Sequence, residues 1–66
     1  MRKELKDARL RKNFTQLQVA NLVGIDRSSY SNIERGNKNP SYQVVIKLKK
    51  ILDVEDDKIF LDINVS

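Results

Sequence analysis

The sequence contains no cysteine and no histidine. Without cysteine there is no disulfide staple, no thiolate metal site and no thiol nucleophile. Without histidine there is no imidazole base and no imidazole ligand, which removes the commonest route to acid–base catalysis. Tryptophan is absent too, and two Tyr and two Phe are the only aromatic residues. No apolar run approaches the roughly 20 residues of a membrane span. The opening Met-Arg-Lys-Glu-Leu-Lys is charged where a signal peptide is apolar. The expectation is a cytoplasmic protein. Glycine and proline are few, two and one.

What is present is a chain of 66 residues, 39% hydrophobic. That is one small domain, residues 1–66, with no linker or internal repeat. A chain of this size buries only about 60% of its unfolded surface, so its stability margin is thin. The net charge is +4, unevenly placed. Residues 1–50 carry 12 basic and 4 acidic side chains, a net of +8, while residues 51–66 carry Lys58 against five acids, a net of −4. A basic body with an acidic end suits a polyanion approached from one side. Lysines and arginines that merely solvate helix faces give the same count.

Four helices and a short fifth are predicted. The first covers about 2–12, with Leu5, Ala8 and the stem of Lys12 on one face, and stops at Asn13. The second opens on Thr15, with Gln18 three residues on as a capping box. Phe14 and Val19 take the spacing of a hydrophobic staple. Val19, Ala20 and Val23 face inward, and Gly24 ends the helix in the left-handed conformation. The third is capped by Asp26, buries Tyr30 and Ile33, and ends at Arg35 and Gly36. The segment from Asn37 to Pro40 is a loop. A fourth helix, about 41–52, turns Val45, Leu48 and Leu52 inward, flanked by Val44 and Ile51. A short fifth, about 56–60, has acids in its first turn. Beyond it Ile59, Leu61, Ile63 and Val65 alternate with Phe60, Asp62, Asn64 and Ser66, a period-two pattern that needs a pairing partner.

The second and third helices are joined through a very short turn containing Gly24, the signature of a helix-turn-helix. In the twenty residues from Gln16 to Arg35, Ala20 lets the two helices approach. Gly24 is free to take positive φ. Val19, Val23, Ile25, Tyr30 and Ile33 fill the remaining inward positions.

With these residues in place the chain resembles the Cro/lambda-repressor-type helix-turn-helix family, the XRE family of regulators. Thr15-Gln16, Val19-Ala20, Val23-Gly24-Ile25 and Ser31-Asn32-Ile33-Glu34-Arg35-Gly36 carry the resemblance. Asn39-Pro40-Ser41, Leu52-Asp53-Val54 and Asp57-Lys58-Ile59-Phe60 continue it over about residues 5–60. It implies an all-α, compact five-helix DNA-binding domain, here with a short extended, β-like tail at 61–66. It further implies a homodimer on double-stranded DNA, with the helix at about 26–35 in the major groove.

Carried onto this sequence, the resemblance makes Asp26, Arg27, Ser28 and Asn32 the base-reading positions. Arg27 has the fork that bonds guanine at two atoms, and Asn32 the donor and acceptor that match adenine. Ser28 serves a base or a phosphate, and Asp26 either accepts from cytosine or caps its own helix. Thr15, Gln16, Arg35, Asn37 and Lys38 fall where the phosphate backbone is held, although Thr15 has a capping role of its own. Arg11 and Lys12 add long-range attraction or simply solvate their face. Arg9 and Glu34 match an internal ion pair of the family. Three departures stand out. Tyr30 replaces an aliphatic residue, so its ring must fit or its hydroxyl reach water. Ala8 replaces a leucine. Leu10, Leu17 and Leu22 occupy usually polar positions, as scattered surface apolars.

One such domain reads few base pairs, so a palindromic operator read by a homodimer is expected. The expected interface is Ile51, Val54 and Phe60 with Leu61, Ile63 and Val65, the tail pairing with its twofold mate as an antiparallel ribbon. No cofactor, metal, membrane or small-molecule ligand is expected. The acids around Asp53–Asp57 lack the glycine and spacing of a calcium loop. Ser28, Ser29 and Ser31 lack a base, so an enzyme is not expected. The competing function is a protein-interaction module, an adaptor or anti-repressor that keeps the fold without reading DNA.

Overall fold

The computed structural model describes residues 1–55. It comprises four helices: α1 (Lys3–Arg11), α2 (Gln16–Val23), α3 (Arg27–Arg35) and α4 (Tyr42–Leu52). There is no strand among the described residues. The fifth helix and the extended tail expected at 56–66, with Phe60, Leu61, Ile63 and Val65, lie outside them.

Local chemistry sets the helix ends. The Thr15 hydroxyl accepts from the Gln18 amide at 3.1 Å, and the Gln18 side chain accepts from the Thr15 amide at 2.8 Å. This reciprocal box satisfies two donors that the first turn of α2 otherwise leaves open. Gly24 closes α2 at φ 90° and Gly36 closes α3 at φ 85°, the left-handed conformation that glycine adopts without a Cβ penalty. Asn13, just beyond α1, also has positive φ, 60°, as asparagine tolerates. Ser41 caps α4 by accepting from the Val44 amide.

The core is Leu5 and Ala8 of α1, Val19, Ala20 and Val23 of α2, Tyr30 and Ile33 of α3, and Leu48 and Leu52 of α4. α2 packs on α3 and α4, and α1 packs on α3. Ala20 is fully buried at the α2 position where a larger side chain would hold the helices apart. Phe14, Ile25, Val44, Ile51 and Val54 cover the edges. Tyr30 is the largest wholly buried side chain, so its ring fits within the core cluster.

Lys12 is exposed, and its ammonium reaches Asp53 at 3.8 Å. Two expectations need correction. In α4 it is Val44, not Val45, that packs on the core with Leu48 and Leu52. Ile51 joins that side of the stripe and rotates it toward Val44. Asp26 occupies the N-cap position of α3 but makes no side-chain bond to the helix backbone. Its carboxylate accepts from the Ser28 hydroxyl at 2.7 Å instead, a short-range competitor for the capping interaction.

Candidate nucleic-acid interface

α3 has one face in the core and one in solvent. Tyr30, Ile33 and Glu34 are buried. Ser28, Asn32 and Arg35, at i, i+4 and i+7, line the opposite face. Ser28 and Arg35 are exposed and Asn32 is half-buried. Arg27 heads the column above Ser31 and Glu34, and it is exposed because the helix has only begun there. Among the described residues no ion pair or side-chain hydrogen bond engages Arg27, Arg35 or Asn32. Asp26 lies beside Arg27 at the helix start, and the neighbouring Ser29 and Ser28 hydroxyls hold its carboxyl below the ordinary value. It stays ionised, next to donors that could otherwise meet an anion.

The other polar positions divide. Asn37 and Lys38 are exposed on the loop leaving α3, and their amides both donate to the Asn32 carbonyl, at 2.9 and 3.3 Å. The Thr15 hydroxyl is occupied by its cap. Gln16 is half-buried, and its side-chain amide donates to Glu34 Oε1 at 3.3 Å. Gln16 therefore ties the start of α2 to the end of α3. Ile51 and Val54 are half-buried against the core of their own chain.

Beneath this surface lies a buried ion pair. Arg9 Nε donates to Glu34 Oε2 at 2.9 Å and Arg9 Nη2 to Glu34 Oε1 at 3.1 Å. Arg9 Nη1 also donates to the Phe14 carbonyl at 2.8 Å. Burial pushes the Glu34 carboxyl up, but the Arg9 hydrogen bonds and charge outweigh it, leaving Glu34 below its ordinary value. The bond to Glu34 in turn raises Arg9. The Tyr30 hydroxyl is buried beside this pair, close to Glu34 but outside hydrogen-bond geometry with it. Burial first, and the neighbouring Glu34 carboxylate second, push its ionisation far above the ordinary range.

Arg2 was not expected from the sequence. It is buried, and its guanidinium reaches the carbonyls of Ile33 and Lys38 and the side chain of Asn39. A lone arginine in a charged N-terminal run gives no signal of this, because its acceptors lie more than 30 residues away.

Among the described residues there is no cluster of acidic side chains able to hold a metal. No helix there is long and apolar enough to cross a membrane.

Comparison with known proteins agrees with this geometry. A helix-turn-helix family model matches residues 5–59. An uncharacterized HTH-type transcriptional regulator of Bacillus subtilis, YqaF, is 41% identical over 63 residues, 96% of this chain and 83% of that protein. A second from the same organism, YqaE, is 40% identical over 53 residues, 80% of this chain but 46% of that protein. The cryptic phage CTXphi transcriptional repressor RstR of Vibrio cholerae is 31% identical over 51 residues, 77% of this chain and again 46% of that protein. The chain thus spans about half the length of some curated relatives and most of others. No solved structure gives a significant match. The chain belongs to the XRE-type helix-turn-helix family of DNA-binding transcriptional regulators.

Proposed function

We propose that the protein is a sequence-specific regulator, acting as a repressor, that binds a palindromic operator as a homodimer with α3 in the major groove. The observation that carries this is the two-sided α3. One face is locked into the core through Tyr30, Ile33 and Glu34. The other presents Ser28, Asn32 and Arg35, with Arg27 at the helix start. Arg27 reads guanine through its two-pronged donor set, and Asn32 pairs with adenine. Ser28 and Asp26 act together, because the Ser28 hydroxyl proton is directed at Asp26. Ser28 then offers DNA an acceptor. Arg35, Asn37 and Lys38 hold the phosphate backbone beside the helix, with Thr15 and Gln16 at the start of α2. A repressor named among the relatives, RstR, supports the sign of regulation.

Dimerisation sets two copies of α3 about 34 Å apart on one face of the duplex. The apolar corner at Ile51 and Val54, continued by Phe60, Leu61, Ile63 and Val65, supplies the contact. Deleting residues 61–66 is expected to weaken the dimer in sedimentation, and an unchanged dimer constant would remove the tail from the interface.

The deciding experiment selects duplexes from a random pool at near-physiological salt, with the wild-type chain and with Arg27→Ala. The expected result is an enriched palindrome that degenerates at one symmetric pair of positions in the variant. The change corresponds to about 1–3 kcal/mol of discrimination at that base pair. Weak, sequence-blind, salt-sensitive binding in place of enrichment would favour a protein-interaction role for the fold.

A further inference from the structure

We propose that Arg2 is a positioning residue for DNA binding: its buried guanidinium fixes the segment that leaves α3, and thereby places Asn37 and Lys38 on the phosphate backbone. The role of Arg2 at DNA rests on the proposed DNA-binding function. Its hold on the loop does not.

Helix α3 ends with carbonyls that no later turn of helix can satisfy. Arg2 meets them from outside the helix. Its backbone amide donates to the Glu34 carbonyl at 2.8 Å. Its Nη1 donates to the Ile33 carbonyl and, at 3.0 Å, to the Lys38 carbonyl. Its Nη2 donates to Asn39 Oδ1 at 2.8 Å. One side chain therefore joins the last turn of α3 to the loop after it. A guanidinium suits this task because its donors lie in a rigid plane and reach two directions at once, whereas a lysine ammonium is a point charge. The cation also sits at the negative end of the α3 dipole.

The segment held this way contains Asn37 and Lys38, both exposed. Their amides fold back on the Asn32 carbonyl, so the loop is pinned from the helix side by Asn32 and from the α1 side by Arg2. Arg2 itself is 3% exposed and does not reach a bound duplex. Any effect it has on DNA must pass through the residues it holds. Backbone contacts fix the register of a protein on its duplex. A loosened loop should therefore cost more on the selected duplex than on an arbitrary one.

Two variants of the full chain test this without altering net charge: Arg2→Lys, which keeps the cation and loses the fork, and Asn39→Ala, which removes an acceptor at an exposed position. Three quantities are measured. They are the thermal midpoint, amide hydrogen exchange at Asn37 and Lys38 in the free protein, and affinity for the selected duplex and a scrambled one at the same salt. Exchange at both amides should quicken in both variants. Affinity for the selected duplex should fall about tenfold for Arg2→Lys and about threefold for Asn39→Ala, with less than about a twofold change on the scrambled duplex. If Arg2→Lys fails to fold, Asn39→Ala carries the test. Unchanged exchange in a folded variant overturns the clamp, whatever DNA does. Quickened exchange with unchanged selected-duplex affinity overturns the positioning role and leaves DNA binding standing. A wild-type chain that enriches no duplex overturns the DNA-binding function and the role of Arg2 at DNA with it, while the exchange result still decides whether Arg2 holds the loop.

Discussion

Arg9 and Glu34 meet as a two-pronged pair, Nε to Oε2 at 2.9 Å and Nη2 to Oε1 at 3.1 Å, with side chains only 9% and 2% exposed. The pair joins the last turns of α1 and α3. Glu34 also receives Gln16 from the first turn of α2. One carboxylate therefore coordinates three helices and fixes the end of the proposed recognition helix. In water such a pair adds little, but here each partner has given up most of its hydration. The consequence is asymmetric: the intact pair is tolerated, and a lone survivor is not.

Glu34→Gln should therefore lose about 3 kcal/mol in urea denaturation, because it leaves the Arg9 charge buried without its counterion. The same substitution should change the acid limb of stability. The folded Glu34 carboxyl lies below its ordinary value of 4.5. The unfolded chain thus holds the proton more tightly in the interval between the two values, and stability rises with pH across it. The contribution is complete above pH 4.5 and is lost as pH falls through the folded value. Urea midpoints taken from about pH 6 down to about pH 3 should show wild type converging on the variant. Parallel curves would show that Glu34 does not titrate with unfolding.

How much of this was legible in the sequence depends on distance along the chain. Thr15 and Gln18, Gly24 and Gly36 announced their roles because caps and left-handed ends are set by residues within a turn of one another. The inward faces of α2 and α3 followed from helical spacing. Adjacent valines leave the angle of the α4 stripe open until Ile51 settles it, so Val44 rather than Val45 packs on the core. Asp26 takes the N-cap position as its spacing predicts, but its carboxylate turns to Ser28, two residues on, which competes with the backbone for it. Arg2 left no trace at all, since its acceptors, from Ile33 to Asn39, come near it only through the packing of α1 on α3. The surface of α3 was legible as a set of residue types. Its buried supports, Arg2 and the Gln16–Glu34 contact, were not.

Tyr30 carries a cost inside the core. The ring is fully buried, yet its hydroxyl, close to Glu34, falls outside hydrogen-bond geometry with any partner. A buried hydroxyl without a partner costs about 1–3 kcal/mol of desolvation. Tyr30→Phe keeps the ring and removes that group. It should raise stability by about 1 kcal/mol, read as a higher urea midpoint at unchanged slope. A loss of similar size would mean that the hydroxyl bonds to the neighbouring Arg9–Glu34 pair in solution.

Gly24 separates backbone strain from packing. It sits at φ +90°, and a Cβ built there meets no atom within 4 Å. Gly24→Ala therefore creates no clash, and its whole cost is the left-handed backbone, about 1–2 kcal/mol. Gly24→Asn, whose side chain tolerates that region, should lose less. The two variants need only equilibrium denaturation to be ranked. Equal stability of all three chains would show that the turn relaxes out of the left-handed region, at no cost to the α2–α3 packing. A loss well beyond about 2 kcal/mol in the alanine variant would point instead to a displaced α3, since the open space around Gly24 leaves no steric source for it.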